Sequence, residues 1–165
     1  MLSKGSWTRE GMVAGIIGAA AVAVWFLVVD VFNGHAFFTP ALLGNVLFSF
    51  FGSTAGESDA LHIAGYTVFH VLAFGALGVG ISALINVSKT VPAALAGLLI
   101  LFVAFQVAFY GVTAALAMQE RLGGVAWWSI GVANLLAAAS MGRYLYREHP
   151  ELKGRFDAAL GGEQE

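Results

Sequence analysis

The fold this sequence predicts is all-α: an integral membrane four-helix bundle with an interfacial helix between spans 1 and 2. Three observations predict it. Hydrophobic residues are 59% of the 165 and charged residues 11%, with a mean hydropathy of +0.81, whereas a soluble domain is about 45–50% apolar and about 25% charged. Four stretches, 11–29, 60–88, 90–119 and 122–142, contain no Asp, Glu, Lys or Arg, and about 20 helical residues cross a hydrocarbon core of about 30 Å. No stretch alternates in the manner of an outer-membrane barrel strand.

The first span is expected at about 11–31. Lys4 and Arg9 resemble the basic start of a signal peptide, but the apolar run that follows outlasts the usual 7–15 residues or so, and Glu10 interrupts it. An uncleaved helix is therefore expected. The link that follows, to Asp59, is long and apolar. Within it Thr39 followed by Pro40 reads as an N-cap with proline in the first helical position. A helix over about 40–51 is too short to span and is expected to lie in the outer interface or dip into it. The loop 52–57 then leads to Ser58, a cap for the second span at about 60–87.

The third and fourth spans are expected at about 91–117 and 123–145. Their short links make spans 2 and 3, and spans 3 and 4, antiparallel neighbours. Residues 1–146 then form the membrane domain, and 147–165 a cytoplasmic tail. Leu152, Phe156, Ala159 and Leu160 fall on one helical face of that tail, suited to the inner membrane surface.

Charge sets the orientation. Lys4, Arg9, Lys89, Arg143, Arg147, Lys153 and Arg155 fall on one side, and only Arg121 on the other, so both termini are expected in the cytoplasm of a bacterial inner membrane. Trp7, Trp127 and Trp128 lie near span ends, where amphipathic rings anchor in the headgroup zone. Small residues recur four apart, as in Gly11–Gly15–Ala19, at Gly78 and at Gly97, and such stripes let helix backbones approach in lipid. They serve contacts within the bundle or with a partner.

Polar residues inside the spans are few. His70, Gln106, Tyr110 and Asn134 are placed to meet in the bundle interior, since polar groups at that depth need partners. Imidazole at mid-depth is a haem or pigment ligand in one reading. His62 and His70 are about 12 Å apart along one helix and cannot flank one iron, and Tyr66, one turn before His70, crowds a macrocycle. In the other reading His70 bonds to Gln106, Asn134, Tyr110 or a backbone carbonyl. At the outer rim Asp30, His35, Asp59 and His62 supply donors for a divalent metal if spans 1 and 2 meet there. Otherwise Asp30 caps the turn before Asn33 and Gly34, and Asp59 favours a helix N-terminus.

Soluble enzymes, disordered tails and disulfide modules are excluded by composition, and thiol chemistry by the absence of cysteine. A net charge of −2 offers nothing to nucleic acid. No catalytic motif is present, so no enzyme is expected. The segment Trp25-Phe-Leu-Val-Val-Asp30, followed by Thr39-Pro-Ala-Leu-Leu-Gly44, resembles a small bacterial four-span membrane family without assigned chemistry. The resemblance covers about a fifth of the chain and implies a prokaryotic inner membrane.

Together these features lead to an expected non-catalytic accessory subunit of a respiratory or photosynthetic type of membrane complex. Its partners would be lipids and other subunits, with Phe48 and Phe51 at the outer interface and no defined cofactor. The alternatives are a small haem-, pigment- or metal-binding protein built on His70, and an oligomeric channel or transporter.

Overall fold

The computed structural model describes residues 6–52, 58–88, 103, 107 and 127–150. Among these are four helices and no strand: α1 (Ser6–Phe32), α2 (Phe38–Phe50), α3 (Asp59–Val87) and α4 (Trp127–Glu148). By length and composition α1 and α3 are each able to cross a membrane. Their bounds enclose the expected first and second spans, and α4 covers most of the expected fourth. The expected third span, with Gly97, Gln106 and Tyr110, and the tail from 151 onward lie outside the described residues.

Glycine brings α1 and α3 into backbone contact. A Cβ at Gly11 would meet the backbone of Gly78 and Val79; one at Gly15 would meet Phe74 and Gly75, and one at Gly78 would meet Gly11 and Gly15. This is the close approach that small residues permit in an apolar solvent. The pairings Gly11–Val79 and Gly15–Phe74 show that the two helices are antiparallel. Ala14, Ile85, Met141 and Leu145 form one buried cluster, and Val22, Ala133 and Ala137 another; Phe74 packs against both. Phe74 thus sits where α1, α3 and α4 meet.

α4 is antiparallel to α1. Its start is tied to the far half of α1, where the Trp25 indole N–H donates to both the carbonyl and the hydroxyl oxygen of Ser129 at 3.0 Å. The Trp25 ring also stands edge-on to Trp128 at 6.3 Å. At the other end His149 Nε2 lies 3.0 Å from Glu10 Oε2, and Gly18 packs on Met141 between them. α3 and α4, both antiparallel to α1, therefore run in the same direction. Trp25→Phe removes the indole donor and keeps an aromatic ring. It is expected to cost about 1 kcal/mol, read as a lowered melting midpoint in mild detergent.

α2 lies against α3. Gly44 meets the carbonyl of His62, and Gly65 accommodates the Phe48 ring. Phe48 also stands edge-on to His62, 5.4 Å between centroids. Position 44 pairs with 62 and position 48 with 65, so α2 advances along α3 in the same sense as α3 itself. Ser58 holds the expected N-cap position, with an extended backbone, but its side chain makes no cap bond; its carbonyl accepts from the N–H groups of Leu61 and His62.

Candidate functional site

Asp30 organises the turn between α1 and α2. Gly34 (φ 81°) and Phe37 (φ 68°) take left-handed backbone conformations there, and for phenylalanine that geometry costs about 1–2 kcal/mol. The turn is held from α1: Asn33 Nδ2 donates to the Val29 carbonyl at 2.9 Å, and the His35 N–H to the Asp30 carbonyl at 3.0 Å. Asp30 Oδ2 accepts from the Thr39 N–H at 2.8 Å and Oδ1 from the Thr39 hydroxyl at 2.7 Å. Both residues are buried, 3% and 2% exposed.

The helix start differs from the expected one for this reason. Phe37, with no side-chain cap bond, is the N-cap of α2, and Thr39 lies inside its first turn. The capping group is supplied from α1. A carboxylate at this position accepts a free N–H of the first turn and faces the positive end of the helix dipole.

The four rim residues do not assemble into a metal-binding group; among the described residues no three His, Asp or Glu side chains do. Both Asp30 oxygens are engaged by Thr39. His62 is buried beside Phe48. His35 is exposed with Nδ1 3.0 Å from the Asn33 carbonyl, and Asp59 is exposed in the first turn of α3. The arrival of α2 explains the difference: its first turn takes up Asp30, and its Phe48 covers His62.

His70 bonds to a backbone carbonyl, one of the partners considered from sequence. Nε2 lies 3.2 Å from the carbonyl oxygen of Ala19, and because a carbonyl only accepts, this nitrogen carries the proton. Tyr66 stacks on one side of the imidazole at 5.5 Å, and Phe74 leans on it at 4.7 Å. In this arrangement Nε2 is not offered to a haem or chlorin.

Between these two features lies a cleft of about 340 Å³. Ala19, Ala20 and Ala23 line it from α1 together with larger apolar side chains such as Phe26 and Leu27, Tyr66, His70 and Val71 line it from α3, and Asp30, Phe37 and Thr39 line it at the α1–α2 turn. The lining is apolar apart from Asp30, Thr39, Tyr66, Thr67 and His70. Asp30 and Thr39 bond to each other, the Thr67 hydroxyl donates to the Ile63 carbonyl at 2.7 Å, and His70 is held by Ala19.

The residues expected at interfaces divide. Gly11, Gly15, Ala19 and Gly78 serve the α1–α3 seam, and Phe48 is enclosed between α2 and α3. Phe51 is 83% exposed. Asn134 lies on α4 and makes an interaction of its own. Sequence reasoning did not reach the Glu10–His149 pair or the Trp25–Ser129 bonds. Each joins residues more than a hundred positions apart, and no local pattern marks such a partner. No protein-family model, curated protein or solved structure matches this chain.

Proposed function

We propose that the chain is a four-span, non-catalytic subunit of a larger inner-membrane assembly of respiratory or photosynthetic type. The four-span reading is supported by helix direction. α3 and α4 run in the same sense, and the sequence between them holds an uncharged stretch, 90–119, long enough for a spanning helix. Together with the basic residues this leaves both termini in the cytoplasm. In that frame α2 descends beside α3 from the outer face, with its start capped by Asp30.

One observation carries the subunit reading. Small residues of α1 and α3 are spent on their mutual contact, yet among the described residues nothing stands within 4 Å of where a Cβ would sit at Gly80 on α3 or Gly142 on α4. Elsewhere on these helices large apolar side chains are exposed, including Val24, Val31 and Phe32 on α1, Leu72 on α3 and Leu135 on α4. A monomer surrounded by lipid gains nothing from open glycines, whereas a partner helix uses them for close approach.

The test is native mass spectrometry of the protein extracted gently from its own membranes. A particle well above 17.3 kDa that dissociates into other polypeptides supports the reading. A lone chain or a homo-oligomer overturns it.

A further inference from the structure

The α1–α3 cleft is made by a change in side-chain size along one helix pair. Towards the inner end Gly11 and Gly15 bring the backbones together. Further out Tyr66 and His70 face Ala19, Ala20 and Ala23, and a gap of about 340 Å³ opens. That is at the lower end of the range of about 300–1,000 Å³ for small-molecule sites.

Asp30 and Thr39 around this gap bond to each other, and the Thr67 hydroxyl and His70 Nε2 to backbone carbonyls. The Tyr66 ring stacks on His70, but its hydroxyl makes no hydrogen bond among the described residues. A phenol beside an apolar cleft is a donor without an acceptor, a costly state where water is scarce. Its depth narrows the choice of ligand. Tyr66 lies seven residues into α3 from Asp59, about 10 Å along the helix axis. If α3 crosses the membrane, that level is below the interfacial zone where phospholipid ester carbonyls sit. An acyl chain there would offer the hydroxyl only methylenes. The fitting ligand has a carbonyl on a compact apolar ring that can enter the hydrocarbon.

We propose that this cleft binds the head ring of a membrane-soluble isoprenoid quinone. A ring carbonyl accepts from the Tyr66 hydroxyl, the ring lies between the alanine wall of α1 and the α3 wall, and the isoprenoid chain leaves through the open side into lipid. The site needs no partner subunit, so it stands apart from the assembly reading.

The test uses the full-length protein in nanodiscs of synthetic phosphatidylcholine, titrated with decylubiquinone and followed by quenching of tryptophan fluorescence. Trp25 stands on the same stretch of α1 as Ala23 of the cleft wall, with its ring turned to α4. The wild type is expected to show a saturable component above the linear quenching of quinone in lipid. Tyr66→Phe should weaken it about 2- to 10-fold, the worth of one neutral hydrogen bond. Ala23→Phe, which fills the cleft and leaves the hydroxyl in place, should weaken it more than about tenfold; if that variant does not fold, Ala20→Leu narrows the same wall. Linear quenching by the wild type overturns the proposal. So does an affinity unchanged in folded Tyr66→Phe and cleft-filling variants, or native protein that retains phospholipid in the cleft and is not displaced by quinone.

Discussion

Asp30→Ala is expected to release α2 from the end of α1 and to destabilise the protein by about 3–5 kcal/mol, since two hydrogen bonds to a charged acceptor are worth about 1.5–3 kcal/mol each. The loss is large because Thr39 is only 2% exposed. Its N–H and hydroxyl, which now donate to the two carboxylate oxygens, would be left buried without an acceptor. The left-handed Phe37 adds to the effect. That conformation persists only while its surroundings hold it, and the Asp30–Thr39 clasp is the contact that spans it.

The substitutions grade by what they leave behind. Thr39→Val removes the hydroxyl and keeps the N–H, so it should cost about 1.5–3 kcal/mol, one bond of the pair. Adding Thr39→Val to Asp30→Ala should cost little more than Asp30→Ala alone, because residues that share one interaction are not additive. Thermal melting in mild detergent, followed by far-ultraviolet circular dichroism, checks the series. An Asp30→Ala midpoint equal to that of the wild type would refute the clasp.

Asp30 also shows how far the sequence could be read. An acidic residue closing an apolar run, followed by Asn33-Gly34 and then Thr39-Pro40, marks a helix end, a turn and a second helix start; the turn and both helices are there, with α2 beginning two residues before Pro40. The three described long helices are legible from their uncharged runs, which are too long for an ordinary strand and lack the alternation of one. The partner of each polar group was not legible. Thr39 reads as the cap of its own helix, but the acceptor comes from the preceding helix, nine residues earlier. Asp30, His35, Asp59 and His62 read as one rim because their sequence positions bring two helix ends together. Packing of α2 on α3 then places Phe48 against His62. His70 had several partners in prospect, and which carbonyl it meets depends on the register of α1 against α3. The glycines at 11, 15 and 78 establish that register jointly, and no single helix discloses it.

Two glycines only two positions apart should respond in opposite ways. Gly78 faces Gly11 and Gly15 so closely that a Cβ would overlap their backbone atoms, and backbone cannot rotate aside as a side chain can. Gly78→Ala is therefore expected to push α1 from α3 and cost at least the 1–3 kcal/mol or so typical of overpacking, and Gly78→Leu to prevent stable folding. Gly80 has open space in the same helix. Gly80→Ala meets nothing among the described residues and gains helix propensity, so it should be neutral or stabilising by up to about 1 kcal/mol. The contrast separates the α1–α3 seam from a general intolerance of substitution in α3, and melting of the purified chain reads it directly. If Gly80 is instead a place where a partner helix approaches, Gly80→Leu leaves the purified chain as stable as the wild type and depletes it from the native assembly. A Gly78→Ala chain that melts with the wild type would mean that α1 and α3 do not share this backbone contact, and the cleft between them would lose its inner boundary as well.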